Sequence, residues 1–310
     1  MILLLLLFFA GLILLTAGAE AFVRGSASIA IKFGLSPLVV GFTIVAFGTS
    51  SPELFVSVKS ALSGFPGITV GNVLGSNIAN GALILGVGAV LTPLTVHRQI
   101  IKRDLPYMLF ISALCFFLLF DRELSRVDSL VLFIVFIVYL AFTVVMARRE
   151  KNANSTPDSA APGKKGIVLG LLIVGGIAGL VYGSHLMVDA AVRLARQLNI
   201  SETIIGISVT AIGTSLPELA ASIMAVIKKE TDIAIGNVIG SNVFNLGLVL
   251  GSAGIISPFS VPELRYIDLA CMVLFSLVLL PFLSTGFRLN RWEGATLLIL
   301  YIGYISLLWI

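Results

Sequence analysis

Charge is scarce in this chain. Only 12% of its 310 residues are Asp, Glu, Lys or Arg, against roughly 25% in a soluble globular protein, so the chain cannot cover a water-facing surface. Cysteine is nearly absent. Cys115 and Cys271 each lie inside a long apolar run, which excludes a disulfide framework and a Cys-rich metal site. A sequence pI near 9.2 raises nucleic-acid binding, but the 20 Lys and Arg are scattered in pairs and triplets rather than gathered in one patch, so no nucleic-acid partner is expected. The Leu-rich start, Met1 to Phe22, lacks the positive segment of a signal peptide and reads as a first helix that is kept.

Apolar residues make up 58% of the chain, with a mean hydropathy of +1.08. Ten apolar stretches fall at about 2–23, 36–62, 68–93, 104–120, 127–146, 166–188, 201–227, 232–257, 266–284 and 292–310. A bilayer core of about 30 Å takes about 20 helical residues per crossing, so ten crossings use most of the chain. Backbone in lipid must satisfy its own hydrogen bonds, and these runs are too long for barrel strands, so the fold class is an all-α integral membrane bundle. With the N-terminus outside, 14 basic residues fall in inner loops and 6 in outer ones, which places both termini outside.

The chain is internally duplicated. Residues 41–93 align with 206–258 at a constant offset of 165 without a gap, and 21 of the 53 positions are identical. Upstream, Gly11 and Gly18 face Gly176 and Gly183, pairing the first helix with the sixth. Each copy holds five crossings, and an odd number forces the second copy to lie upside down. Inverted repeats within one membrane chain are a transporter signature. The expected organisation is a first repeat at 1–147, a polar cytoplasmic linker at 148–165 and a second, inverted repeat at 166–310, together one membrane domain.

The second and seventh helices carry Ala46-Phe-Gly-Thr-Ser-Ser-Pro-Glu53 and Ala211-Ile-Gly-Thr-Ser-Leu-Pro-Glu218. Pro52 and Pro217 have no amide proton, so the carbonyls near Gly48 and Gly213 lose their helical partners and the helices break in mid-membrane. Glu53 and Glu218 are carboxylates deep inside apolar runs; an uncompensated charge there costs at least about 2.5–3.5 kcal/mol, so each is a functional candidate. The plain alternative is a protonated glutamate that merely bonds a neighbouring helix. In the third and eighth helices, Asn72, Ser76 and Asn80 share one face, as do Asn237, Ser241 and Asn245. Helix-packing glue would explain one such amide, but polar stripes repeated by inversion are better explained as the lining of one central site. Carboxylates, hydroxyls, amides and freed carbonyls make an all-oxygen site that suits Ca2+ and Na+ and does not suit Zn2+ or Cu+.

These paired signatures, Gly48-Thr-Ser-Ser-Pro-Glu53 and Gly213-Thr-Ser-Leu-Pro-Glu218, resemble those of the cation/calcium exchanger superfamily, and within it the sodium/calcium exchangers of the prokaryotic type. The resemblance covers essentially the whole chain. It implies ten helices in two inverted halves and a secondary antiporter that exchanges Na+ for Ca2+ by alternating access, in a prokaryotic plasma membrane. Glu53, Glu218 and the carbonyls of Thr49 and Thr214 are thereby implied to bind Ca2+. Ala46, Ser50, Ser76, Ala211, Ser215 and Ser241 are implied in flanking Na+ sites, with Asn80 and Asn245 at the middle site. Transported Ca2+ and Na+ are the only ligands implied, with no cofactor and no obligate protein partner. Asn245 stands where the potassium-cotransporting branch has Asp, which argues against potassium coupling. A Ca2+/H+ antiporter on the same scaffold is the alternative, though the acids and histidines that branch carries near its glutamates are missing here.

Glu20 and His185 occupy matching positions near helix ends, with Asp189 one turn beyond His185, and suit an anchoring or gate contact better than ion binding. His97 reads as solvated, and Arg98, Lys102 and Arg103 as contacts for anionic headgroups. An intramembrane hydrolase is disfavoured, because a serine nucleophile needs a base and the two histidines are not expected at the depth of Ser50 or Ser76. A passive channel is disfavoured by a paired-carboxylate trap that binds too tightly for rapid conduction.

Overall fold

The computed structural model describes residues 1–153, 166–198 and 213–307. Helix α1 spans Ile2–Phe33 and ends at Gly34, whose left-handed backbone (φ 60°) closes the last turn on Ala30 and Ile31. The second segment is broken into α2, Pro37–Thr49, and α3, Ser51–Leu62, bent by 44°. There follow α4 (Pro66–Leu91), strand β1 (Leu94–Thr95), α5 (Leu105–Leu118) behind a widened turn at Ile100–Asp104, β2 (Glu123–Leu124) and α6 (Arg126–Ala153). The second half comprises α7 (Gly166–Gln197), α8 (Leu216–Ile227), α9 (Thr231–Ile256), β3 (Phe259–Ser260), α10 (Tyr266–Ser284), β4 (Arg288–Leu289) and α11 (Arg291–Leu307). Helix thus occupies every one of the ten apolar stretches. Six of these helices are long and apolar enough to cross a bilayer, or seven with the bent pair.

The helix ends differ from those read from hydropathy. The apolar runs end near 23 and 188, but α1 and α7 continue to Phe33 and Gln197. Arg24, Lys32, Arg193 and Arg196 therefore lie on helix rather than in loops. Polarity marks the edge of the membrane, whereas the residues beyond it are good helix formers that let the helix propagate. In the same way α6 runs to Ala153, so residues 148–153 of the expected linker are helical; the linker's remainder, 154–165, lies outside the described residues.

Two kinds of close packing organise the bundle. Helices α1 and α7 lie together along a glycine seam: a Cβ on Gly18 would stand 2.6 Å from the Leu180 nitrogen, and one on Gly183 would run into the Leu15 nitrogen. Small residues let two backbones approach where lipid offers no hydrophobic drive. Around the centre, α4 and α9 are the most enclosed helices. Helix α9 meets α2 backbone to backbone, where a Cβ on Gly236 would stand 2.8 Å from the Leu38 carbonyl oxygen. At the two ends of the bundle the strands form matching corners, with Leu94 opposite Leu289 in one and Leu124 opposite Phe259 in the other. Adding 165 to one member of each pair and subtracting it from the other converts one corner into the other, so the inversion is expressed in strand pairing as well as in sequence.

Candidate ion-binding site

Both helix breaks have the same backbone. Ser50, between α2 and α3, has φ −82° and ψ 3°; Ser215, its counterpart before α8, has φ −84° and ψ 1°. In each case proline sits at the start of the following helix, where a missing amide proton costs nothing, and the preceding carbonyl is left without its donor. Glu53 and Glu218 then fall in the first turn of α3 and α8, close to the positive ends of those helix dipoles. Both are buried, at 0% and 1% exposure.

Side chains from opposite repeats bind the two breaks together by matched bonds. Thr49 Oγ1 donates to Asn237 Oδ1 at 3.1 Å, and its counterpart Thr214 Oγ1 donates to Asn72 Oδ1 at 2.9 Å. The same asparagines donate backward to serines one turn beyond each glutamate: Asn72 Nδ2 to Ser57 Oγ and Asn237 Nδ2 to Ser222 Oγ, both at 2.9 Å. At the crossing of α4 and α9, Asn77 Nδ2 donates to the Asn242 carbonyl at 3.2 Å and Asn80 Nδ2 to Asn242 Oδ1 at 3.0 Å. Both of these helices open into a wide π turn at positions that correspond to within one residue, Ala79–Ile84 and Asn245–Leu250, a distortion common at functional sites. The turn of α4 packs on α8, and the turn of α9 packs on α3.

Matching stops at the carboxylates. Ser50 Oγ donates to Glu218 Oε1 at 3.1 Å, whereas Ser215 Oγ donates to Ser76 Oγ at 3.1 Å. Ser241 approaches Thr49 Oγ1 at 3.4 Å. Among the described residues, ten buried side-chain polar atoms have no hydrogen-bond partner, and seven belong to α3, α4, α8 and α9: both carboxylate oxygens of Glu53, Oε2 of Glu218, Oδ1 of Asn77 and Asn80, and both amide atoms of Asn245. Each unsatisfied buried polar group costs about 1–3 kcal/mol, more if charged. Unbonded oxygens on both glutamates, set where α3 and α8 pack on the π turns of α9 and α4, suit a cation's coordination shell. No group of three or more His, Cys, Asp or Glu is found among the described residues, so the charge of the donor set rests on the two glutamates, and its chemistry is that of hard oxygen ligands.

Of the residues singled out in the sequence, Ala46, Thr49, Ser50, Ser76, Asn80, Ser215, Ser241 and Asn245 are buried with the glutamates. Thr214 is half-buried, and Ala211 lies outside the described residues. Sequence reasoning missed Ser57, Ser222, Asn77 and Asn242. Their signal was available, because each pair is identical at the 165 offset. Glu20 pairs with Arg24 at 2.5 Å and with Lys228 at 2.6 Å, which is an anchoring contact between α1 and the end of α8. His97, 58% exposed, meets Asp232 at 3.1 Å.

Residues 3–145 and 168–310 match the family model described as sodium/calcium exchanger protein. The chain belongs to the sodium/calcium exchanger family. The family model matches twice, once on each side of residues 146–167. Among relatives in the family, the chain is similar to the sodium/calcium exchanger MaX1 of Methanosarcina acetivorans, with 35% identity over 336 residues covering 96% of each chain. It is also similar to the inner membrane protein YrbG of Escherichia coli, with 39% identity over 276 residues, 86% of this chain and 85% of that one. A solved structure of the sodium-calcium exchanger NCX_Mj, soaked with 2.5 mM Na+ and 0.1 mM Ca2+, superposes with a TM-score of 0.85 at 35% identity, covering 99% of this chain and 98% of that one. The fold is accordingly the all-α membrane exchanger fold, and sodium/calcium exchangers are transporters.

Proposed function

We propose that this protein is a secondary antiporter that exchanges Na+ for Ca2+ through one central site reached alternately from the two sides of the membrane. The carrying observation is the pair of buried glutamates with unpartnered oxygens, each in the first turn after a helix break of matching backbone. In this reading Ca2+ is held by Glu53, Glu218 and the carbonyls of Thr49 and Thr214. Na+ ions use Ala46, Ser50, Ser76, Ala211, Ser215 and Ser241 at flanking positions, with Asn80 and Asn245 between them. Six to eight oxygens in flexible geometry suit Ca2+, and two carboxylates balance its charge. Competition for the same carboxylates makes the ions exclude one another. An empty pair of charged glutamates is costly to enclose in a low-dielectric core, so the carrier switches sides when loaded, giving exchange rather than leak.

The two repeats, 1–147 and 166–310, move about this shared site, with 148–165 as their cytoplasmic connection. Both termini lie outside a prokaryotic plasma membrane, in keeping with 14 basic residues on the linker side against 6 opposite. No protein partner is needed for the cycle. Nor is an enzymatic role proposed: His97 and His185 are exposed, whereas the serines of the site are buried.

The test is 45Ca2+ uptake into proteoliposomes loaded with Na+, beside vesicles given only a proton gradient, each with and without a K+ shunt. Uptake that requires internal Na+ and rises when charge is dissipated supports electrogenic Na+/Ca2+ exchange. Uptake driven by protons alone moves the assignment to Ca2+/H+ antiport on the same glutamates. Uptake with neither gradient identifies a channel.

A further inference from the structure

The inversion that builds the central site also builds the two strand corners, one at each end of the bundle. Their backbones are close copies. Phe287 beside β4 and Arg122 beside β2 occupy corresponding positions, and both adopt a left-handed backbone, with φ of 53° and 63°. The charges are not copied. Arg98, Lys102 and Arg288 at the β1–β4 corner correspond to Glu263, Ile267 and Glu123 at the β2–β3 corner, and only Arg291 keeps its sign, as Arg126. Since one backbone serves both ends, folding does not require the reversal.

At the β1–β4 corner the acids are already committed. Asp104 takes Arg103 at 2.8 Å, Asp232 takes His97, and Glu293 accepts the Asn290 amide proton at 2.7 Å. Arg98, Lys102, Arg288 and Arg291 are exposed, and none has an ion-pair partner among the described residues. The β1–β4 pairing brings the Arg98 side of the corner against the Arg288 side, and the Arg98 guanidinium lies 5.2 Å over the Phe287 ring. Trp292 stands beside them, 85% exposed. A tryptophan so exposed at the end of an apolar helix suits headgroup level, and uncompensated Lys and Arg at that level attract anionic headgroups. At the opposite corner Arg265 is tied to Asp268 at 3.0 Å and Arg122 donates to the Pro262 carbonyl at 3.0 Å, which leaves Arg126 as the exposed arginine there without an ion pair among the described residues.

We propose that the β1–β4 corner is a binding site for an anionic phospholipid, its phosphate held by Arg98, Lys102, Arg288 and Arg291 and its interfacial region flanked by Trp292. The site joins a loop of the first repeat to a loop of the second.

Trp292 is also the reporter. The full chain carrying Trp309→Phe keeps Trp292 as its single tryptophan. Quenching is measured in vesicles with brominated phosphatidylglycerol or brominated phosphatidylcholine. The expected result is a preference of about fivefold for phosphatidylglycerol that falls as salt is added. Arg98→Gln with Arg288→Gln removes the preference but leaves quenching by phosphatidylcholine intact, which reports a folded, inserted protein. Glu123→Gln with Glu263→Gln at the opposite corner leaves it unchanged. Equal quenching by the two lipids in the parent, or a preference that survives the double arginine substitution, overturns the proposal.

Discussion

The two helix breaks share a frame but not their carboxylate bonds. Thr49 with Asn237 and Thr214 with Asn72 are matched contacts, as are Asn72 with Ser57 and Asn237 with Ser222. Yet Ser50 reaches Glu218 while Ser215 reaches Ser76, leaving Glu53 with neither oxygen bonded among the described residues. The difference separates two jobs. Threonine–asparagine–serine bonds hold the broken helices at fixed spacing, and the acids stay uncommitted enough to exchange one ion for another.

Neutralising the acids breaks the comparison most severely. Glu53→Gln or Glu218→Gln is expected to lower Na+-dependent 45Ca2+ uptake by about two orders of magnitude or more, because ligand charge sets Ca2+ affinity. Uptake at the parent rate in either variant removes the proposed site. The frame is tested next. Asn72→Ala and Asn237→Ala each delete three hydrogen bonds, and each is expected to cost about 1–3 kcal/mol of stability in detergent unfolding, in similar measure. A large loss in one and none in the other would show that the frame is not shared.

A smaller effect sharpens the carboxylate difference. Ser50→Ala removes the hydroxyl donor of Glu218 and should raise the Ca2+ concentration for half-maximal uptake about tenfold, whereas Ser215→Ala, which loses a neutral bond, should raise it about threefold or less. Equal shifts would mean that the two serines exchange roles during the cycle. Smallest of all, Asn245→Asp is expected to keep the fold and unfolding midpoint but alter the cation preference measured by competition with K+.

Much of this architecture was legible in the linear chain. The 165-residue offset announced the inversion, and Pro52 and Pro217 announced the breaks, since a missing amide proton acts locally wherever the chain goes. Glu53 and Glu218 were visible because an acid in an apolar run is costly to insert and persists where a site uses its charge. Helix ends were not legible at α1 and α7, because hydropathy reports the membrane boundary while helix formation ignores it. Asn77 and Asn242 were passed over for the neighbouring stripe, as nothing local reveals that their face lies at the crossing of α4 and α9.

By itself, then, the sequence determined whatever follows from covalent chemistry and period: helical crossings, their duplication, two breaks, and an all-oxygen donor set. Tertiary structure alone decided which oxygens meet. Thr49 is 188 residues from Asn237, and only the backbone contact between α2 and α9 at Gly236 brings that hydroxyl within reach. The same holds for the unequal bonding of the glutamates. Gly, Thr, Ser, Pro and Glu recur at matching positions on both sides of the inversion, so a difference between Glu53 and Glu218 must come from neighbours supplied by the other half of the fold.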